Sequence, residues 1–208
     1  MRYVYMNRFS NVISVFLVLV FASPVFAAPE VGKPAPEFAM QDTEGNDVSL
    51  TELRGKTVVL EWFNDGCPYV RKHYGSNNMQ ALQNEAVADG VVWVTVISSA
   101  PGKQGYVTAE EGNALTAKHG ASPTHLLLDP EGTLGKAYDA RTTPHMYIID
   151  PKGELVYMGG IDDKPTANPA DIDGANNYVR SALAELKSGT SITSPTTRPY
   201  GCSVKYSS

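Results

Sequence analysis

Two short, almost unbroken runs of apolar residues stand out along the chain. Residues 57–63 read TVVLEWF, and residues 91–97 read VVWVTVI. Continuous apolar runs rich in β-branched residues are typical of strands buried on both faces of a sheet. A third buried strand is predicted at residues 125–128. The pattern therefore indicates a sheet whose centre is covered on both sides.

Helical spacing and hairpin turns fill the intervals between these strands. The helices are predicted at residues 68–88, 108–119, 134–138 and 173–187. A hairpin is predicted at residues 37–50, and a second pair of strands at 146–150 and 154–158 flanks the turn Pro151-Lys152-Gly153. This alternation of strands and helices, closed by a hairpin and a helix, predicts an α/β fold with a central mixed sheet flanked by helices.

The N-terminus has the pattern of a secretory signal peptide. Arg2 and Arg8 give it positive charge, residues 12–22 form an apolar run too short to cross a bilayer, and small residues precede a predicted cut after Ala27. The alternative is an uncleaved membrane anchor. The predicted organisation is a signal peptide at 1–27, one domain at 28–189 and a tail at 190–208. We expect a periplasmic or secreted protein with no stable membrane insertion after processing.

Charge and composition narrow the class of partner. The chain has 17 basic and 22 acidic residues, and it has no basic patch interleaved with aromatic residues. Nucleic acid is therefore a poor candidate partner. Nothing in the residues implies a cofactor, and no oligomeric state can be assigned.

The chemistry that the sequence suggests centres on Cys67, which lies where a buried strand passes into a helix. Pro68 suits the first helical position, so Cys67 is the predicted N-cap. Unpaired N–H groups and the helix dipole stabilise a thiolate there, and the thiolate is the reactive form. Arg71, one turn on, is a candidate source of further positive charge.

Only one other cysteine, Cys202, is present, and it lies in the Ser-, Thr- and Pro-rich tail. In an oxidising compartment an even pair of cysteines forms a disulfide or a redox couple. A permanent disulfide closing so long a loop would stabilise the fold by about 4 to 5 kcal/mol on the chain-entropy model. Three interpretations of the two cysteines remain open: a structural disulfide, a pair that cycles between dithiol and disulfide, and two independent thiols.

The segment EWFNDGCPYV resembles the active-site segment of thioredoxins, in which a strand leads into W-C-x-x-C at a helix start. Glu61 stands where that family has a buried aspartate that carries protons, and burial would raise the pKa of such a carboxyl. The alternative is a glutamate that reaches solvent from the strand end. The resemblance implies a thioredoxin-like fold with Cys67 as redox nucleophile.

The segment RTTPHMYIIDPKGELVYMGG resembles the thioredoxin-fold region that contains a cis-proline. The resemblance implies a cis Thr143–Pro144 bond in a loop beside Cys67 that positions the substrate, with His145 at the mouth of the site. The additional helix, strand and short helix over residues 108–138 resemble the insertion of the peroxiredoxin-like branch. Residues 31–186 are therefore similar to redoxins of the alkyl hydroperoxide reductase/thiol-specific antioxidant superfamily.

The chain departs from both family patterns. The second cysteine of C-x-x-C is replaced by Val70, so Cys202 is the only candidate resolving thiol in the chain. Asn64 stands where peroxiredoxins have the hydroxyl that orients the peroxide, and it is a candidate substitute. A flexible tail carrying Cys202 would resemble the mobile resolving cysteine of two-cysteine peroxiredoxins.

We therefore expect an exported thiol oxidoreductase that acts on hydroperoxides, as an antioxidant, or on protein disulfides, with a thiol reductant or disulfide-bearing protein as partner. The expected site comprises the catalytic residues Cys67, Cys202, Glu61 and Arg71, and the substrate-positioning residues Thr143, Pro144 and Asn64. The alternative is a non-catalytic binding module with a structural Cys67–Cys202 disulfide. Copper binding is disfavoured because paired cysteines are missing.

Overall fold

The structure is a computed structural model that describes Met1 and residues 28–207. The signal peptide predicted at residues 1–27 thus lies outside the described residues, apart from Met1. Its cleavage and the export of the chain stay predictions.

A five-stranded mixed sheet in the order β5-β4-β3-β7-β8 forms the centre of the domain, as predicted. Strands β3, β4 and β5 are parallel, while β7 and β8 add antiparallel pairs. The strands in chain order are β1 (Ala39–Gln41), β2 (Asp47–Ser49), β3 (Val58–Trp62), β4 (Val92–Ile97), β5 (His125–Leu128), β6 (Thr142–Thr143), β7 (His145–Ile149), β8 (Leu155–Gly159) and β9 (Cys202–Ser203).

Two apolar cores lie on the two faces of this sheet. Every residue of β3 and β4 is buried, as the continuous apolar runs predict. Successive side chains of a strand point to opposite faces. Leu60 and Trp62 therefore join one core, while Val59 and Phe63 join the other. Cys67 belongs to the second core, so the helix start is built against a fixed apolar surface.

The helices confirm most of the predicted elements and correct two of them. The predicted helix 68–88 is two helices, because Asn77 adopts a left-handed conformation with φ 62° and ends the first one. The last helix begins at Tyr178 rather than residue 173, with Asn177 as its cap. The helices are α1 (Pro68–Gly75), α2 (Asn78–Ala88), α3 (Ala109–His119), α4 (Thr133–Ala137) and α5 (Tyr178–Lys187).

The tail is packed against the domain, so the expectation of a flexible tail is wrong for its described part. Strand β9 in the tail pairs antiparallel with β6, a strand that precedes Pro144. On one side of β9, the N–H of Gly160 donates to the Thr197 hydroxyl at 3.0 Å. On the other side, the N–H of Ala100 donates to the Lys205 carbonyl at 2.8 Å. Two-residue strands carry no periodicity, which is why the sequence does not reveal this pairing.

Candidate active site

Cys67 caps helix α1 at the end of a tight turn that follows strand β3. Its N–H donates to the Asn64 carbonyl at 3.0 Å, and Pro68 occupies the first turn of the helix. The N–H of Gly66 donates to the Asn64 side-chain oxygen at 2.9 Å. The residue itself is fully buried. Local sequence chemistry therefore places this thiol at a helix N-terminus, as predicted.

The surroundings of the Cys67 sulfur stabilise its thiolate. Burial raises the pKa of the thiol, but hydrogen bonds from the Cys202 and Thr143 side chains and from the N–H groups of Val70 and Cys202 lower it below its usual value. Val70 is thus part of the site through its backbone, although its side chain cannot replace a cysteine. As a thiol, Cys67 lies 3.0 Å from the carbonyl oxygen of Thr143 and donates to it.

Cys202 reaches Cys67 through the β6–β9 pair. Thr143 is the register partner of Cys202, and the Thr143 carbonyl contacts the Cys67 sulfur. Gly201 lies so close to this loop that a Cβ there would be 2.0 Å from the Thr143 carbonyl oxygen. The two thiols are unbonded in the structure. They nevertheless lie within hydrogen-bonding reach of one another, although they are 135 positions apart in the chain.

The two thiols have opposite character. Cys67 is buried, whereas Cys202 is partly exposed. Burial, the hydrogen bond to Cys67 and the negative charge of a Cys67 thiolate raise the pKa of Cys202 to about 11. The site therefore favours the thiolate of Cys67 over that of Cys202, whose thiol is neutral at neutral pH.

A buried polar cluster holds the tail two residues before Cys202. The Tyr200 hydroxyl donates to the Asp162 carboxylate and lies 3.1 Å from the His73 Nε2. The buried Lys72 ammonium lies 3.5 Å from the same carboxylate and 5.4 Å from the centre of the Tyr200 ring. The pKa of His73 is lowered to about 4, mainly because the side chain is buried. The Asp162 charge raises this pKa and the Lys72 charge lowers it, and the net result is a neutral His73 at neutral pH.

This cluster, comprising Lys72, His73, Asp162 and Tyr200, joins the tail to the helix that Cys67 caps. We call it the tail anchor. Sequence reasoning missed the parts that Lys72, His73 and Asp162 play in it. The signal was weak, because adjacent Lys and His in an otherwise amphipathic helix also suit an exposed face.

Glu61 is fully buried, so the alternative in which it reaches solvent is wrong. Its carboxylate accepts hydrogen bonds from four side chains: Tyr74 at 2.8 Å, Trp93 at 2.9 Å, Gln83 at 3.1 Å and Thr95 at 3.3 Å. Burial raises the pKa of the carboxyl, and these four donors only partly oppose the effect. Because Tyr74 belongs to α1, the carboxylate links the sheet to the helix that carries Cys67.

The structure does not place Asn64 and Arg71 in the positions expected for a substrate-positioning and a catalytic residue. The Asn64 amide donates to the Gln104 carbonyl at 3.1 Å and its oxygen holds Gly66, so it builds the turn rather than facing the Cys67 sulfur. Arg71 is exposed, and its Nε donates to the Asp65 carbonyl at 2.9 Å. Arg71 is not among the groups that shift the pKa of Cys67.

The Thr143–Pro144 bond is cis, and its loop lies beside Cys67. His145 is buried, so the prediction that it lies at the mouth of the site is wrong. Its Nδ1 lies 2.9 Å from the Tyr147 hydroxyl. Burial lowers the pKa of His145 to about 3, with the Asp139 charge opposing. The buried Thr143 hydroxyl has no other hydrogen-bond partner among the described residues.

Within residues 28–207, no group of three or more His, Cys, Asp and Glu side chains is arranged to hold a metal ion. None of the helices described there is long and apolar enough to cross a membrane.

Comparisons with known proteins identify the family of this chain and its relatives. Residues 31–158 match the model of the AhpC/TSA family. The thiol-disulfide oxidoreductase ResA of Bacillus subtilis is 27% identical over 158 residues, covering 68% of this chain and 79% of the relative.

Solved structures share the fold. A crystal structure of an uncharacterised conserved protein from Geobacillus kaustophilus aligns with a TM-score of 0.73 and 28% identity, covering 86% of this chain and 93% of that one. The thioredoxin domain of a thiol-disulfide oxidoreductase from Bacteroides vulgatus aligns with a TM-score of 0.50 and 19% identity, covering 71% and 98%. The fold is therefore thioredoxin-like, and the chain belongs to the AhpC/TSA family.

Proposed function

We propose that this protein is an exported thiol oxidoreductase in which Cys67 and Cys202 cycle between a dithiol and a disulfide. One observation carries the proposal: the β6–β9 pair brings Cys202 within hydrogen-bonding reach of a buried thiol whose pKa is lowered. Cys202 would thus replace the second cysteine of the C-x-x-C motif, at whose position this chain has Val70. The thiol-disulfide oxidoreductase name of the ResA relative supports the same reaction class.

The proposed substrate is a disulfide or dithiol of a partner protein. When a partner disulfide is reduced, its sulfur–sulfur bond breaks and takes up two electrons and two protons. Cys67 and Cys202 supply both as their own disulfide bond forms. The exchange passes through a mixed disulfide. The reverse exchange regenerates the dithiol from a partner dithiol. Export to an oxidising compartment, proposed from the N-terminal signal, would place the protein with such partners.

The test is equilibration of the mature chain with mixtures of reduced and oxidised glutathione, followed by acid quenching, alkylation and peptide mapping. The proposal predicts one disulfide, between Cys67 and Cys202, whose occupancy follows the glutathione ratio and reverses with it. The matched controls are Cys67→Ser and Cys202→Ser, neither of which can form the bond. A bond that does not reverse in native protein would instead support the binding module with a structural disulfide.

A second candidate is reduction of hydroperoxides, and one observation favours it. The Thr143 hydroxyl is a buried donor beside the Cys67 sulfur, and it has no other partner among the described residues. Such a donor suits the oxygen of a peroxide, which a small buried site admits more readily than a protein. Thr143 would then supply the hydroxyl that Asn64 does not.

In that reaction the Cys67 thiolate attacks one peroxide oxygen, the O–O bond breaks, and the alcohol or water leaves with a proton. Cys67 becomes a sulfenic acid, and Cys202 then forms the disulfide with release of water. Short exposure to stoichiometric hydrogen peroxide should produce the Cys67–Cys202 disulfide in the wild type and a sulfenic acid in Cys202→Ser. Thr143→Val should slow the first step. Thiols that stay unchanged for many minutes would eliminate this candidate.

A further inference from the structure

The two sulfurs are not equally open to a partner. Cys67 has no exposed surface, because it lies beneath the turn that precedes α1, the Thr143–Pro144 loop and the tail. Cys202 lies on the outer member of the β6–β9 pair and is partly exposed. A protein or peptide thiol that approaches the folded molecule therefore meets Cys202 first.

Moving the tail away from Cys67 would cost free energy, because several contacts hold it against the domain. In the tail anchor, Tyr200 is buried against Asp162. The next residue, Gly201, packs so closely against the Thr143 carbonyl that no side chain fits between them. Beyond Cys202, the Val204 N–H donates to the Arg141 carbonyl at 3.0 Å. Uncovering Cys67 for direct attack would break these contacts together, and the buried Asp162 carboxylate would lose the hydrogen bond from Tyr200.

Open space adjoins the tail at Tyr200 and Gly201, the two residues that precede Cys202 in the chain. A surface cavity of about 580 Å³ borders Gly201 and is lined also by Tyr69, Thr142, Arg198 and Pro199. It gives an incoming chain room beside the tail, whereas no exposed surface leads directly to the Cys67 sulfur.

We propose that Cys202, not Cys67, is the sulfur through which the oxidised protein exchanges with its partner thiol, and that Cys67 is the buried leaving group. The proposal rests on the Cys67–Cys202 redox pair of the proposed function and reverses the order in which the two thiols would otherwise be expected to meet a partner. It assigns the partner as a protein or peptide thiol that reaches the tail strand.

The step balances without an added reagent. A partner thiolate attacks the Cys202 sulfur, the Cys67–Cys202 bond breaks, and Cys67 leaves as a thiolate. A second partner thiol then attacks the mixed disulfide, so that the partner is oxidised to a disulfide. Cys202 leaves as a thiolate and takes up a proton. A leaving thiol with a low pKa departs faster, so the lowered pKa of Cys67 supports this direction of attack.

The first test maps the mixed disulfide. The oxidised wild-type protein is mixed with reduced glutathione, quenched in acid over a series of short times, alkylated with N-ethylmaleimide and digested. The proposal predicts glutathione on Cys202 and maleimide on Cys67 from the earliest times. Glutathione on Cys67 with maleimide on Cys202 would overturn it.

A second test does not depend on accumulation of that intermediate. The single-cysteine variants Cys67→Ser and Cys202→Ser are each reacted with oxidised glutathione, and the rate is divided by the thiolate fraction, measured by ultraviolet absorbance. Per thiolate, we expect Cys202 to react about tenfold faster or more than Cys67, because only Cys202 is exposed. Equal rates, or a faster Cys67, would contradict the proposal.

The two failures can be distinguished. If the wild type forms no Cys67–Cys202 disulfide at any glutathione ratio, the proposed function fails, whatever the single-cysteine rates are. If the disulfide cycles but the adduct maps to Cys67, only the assignment of Cys202 as the exchanging sulfur fails.

Discussion

The two halves of the site are built in different ways. Cys67 is held by the core of the domain, at the junction of a fully buried strand and a helix. Cys202 lies on a two-residue strand of the tail, and its position depends on contacts with Thr143 and the tail anchor. The first half follows from local sequence, whereas the second exists only because distant parts of the chain meet.

This difference sets the chemistry as well as the geometry. The helix start and its neighbours favour a thiolate at Cys67, while burial, together with the hydrogen bond to Cys67 and its negative charge, raises the pKa of the Cys202 thiol to about 11. A pair built in this way has one buried leaving group and one partly exposed sulfur.

The largest effect that separates the halves should come from the cysteines themselves. Cys67→Ser should not turn over, because the Cys67–Cys202 disulfide that completes the cycle cannot form, but its partly exposed Cys202 should still accept a mixed disulfide in single reactions. Cys202→Ser should not turn over either, and its buried Cys67 should form a mixed disulfide more slowly per thiolate. Turnover with a protein disulfide substrate, measured with each variant and the wild type, checks this. Normal turnover in Cys202→Ser would contradict the paired site.

Removing a contact of the tail anchor should make the Cys67–Cys202 disulfide less stable without changing either cysteine. Tyr200→Phe removes a buried hydrogen bond to a carboxylate, which is worth about 1.5 to 3 kcal/mol, so the unfolding free energy should fall by about that amount. The equilibrium constant for the Cys67–Cys202 disulfide against glutathione should fall about tenfold, since each 1.4 kcal/mol is a factor of about ten. Denaturant titration and the glutathione equilibrium measure the two effects.

Tyr206→Phe is the matched control for the tail anchor. The Tyr206 hydroxyl donates to the neutral Ala140 carbonyl at 2.7 Å, on the other side of Cys202. Its loss should cost about 0.5 to 1.5 kcal/mol and leave the disulfide equilibrium less affected. Equal effects of the two variants on the disulfide would show that the anchor has no special part in placing Cys202.

The thiolate of Cys67 should respond to the chemical group at position 202. In Cys202→Ala the pKa of Cys67 should rise, because the largest of the hydrogen bonds that lower it is lost. In Cys202→Ser a hydroxyl donor remains, so the rise should be smaller. Thiolate absorbance across a pH series checks this, and identical curves for the two variants would mean that Cys202 does not tune Cys67.

Glu61 should give the clearest pH dependence of stability. Its pKa is raised in the folded protein, so its stabilising contribution is present below the unfolded pKa and is lost as pH rises through the folded pKa. Glu61→Gln removes this titration, so the wild type should lose stability relative to the variant with rising pH. Denaturant titrations at several pH values measure the difference.

Glu61→Leu provides the structural control for the same position. It leaves the four buried donors without their acceptor and should cost at least about 2 kcal/mol at every pH. The proton-carrier role of Glu61 stays a prediction, and a slower exchange rate in Glu61→Gln with a changed pH–rate profile would support it. An unchanged profile would confine Glu61 to holding α1 against the sheet.

The smallest effect is expected at Arg71. Because its Nε is bound to the Asp65 carbonyl and the side chain is exposed, Arg71→Ala should leave the pKa of Cys67 unchanged and alter exchange less than about twofold. The same thiolate absorbance series checks it. A clear rise in the Cys67 pKa would restore the catalytic role expected from sequence.

The sequence predicted the parts of this site that depend on neighbouring residues. The buried strand β3, the helix start at Pro68 and the mixed sheet follow from residue pattern and capping chemistry. The break at Asn77 was missed because helical spacing continues across it, although Gly75, Ser76 and Asn77 are poor helix formers.

The parts that the sequence did not predict depend on contacts between distant segments. The pairing of Cys202 with Thr143 extends over only two residues of each strand, too short for a pattern. Likewise, the burial of Lys72 becomes reasonable only once Asp162 and Tyr200 are placed beside it. A charged residue in a helix is by default assigned to its exposed face.

The most direct test of the account is the redox titration of the mature protein against glutathione, read by intact mass and peptide mapping after acid quenching. The account predicts a reversible loss of two hydrogens that maps to a Cys67–Cys202 disulfide and that is absent from both serine variants. Thiols that never join across the range of glutathione ratios, or a disulfide that never opens in the folded protein, would contradict it.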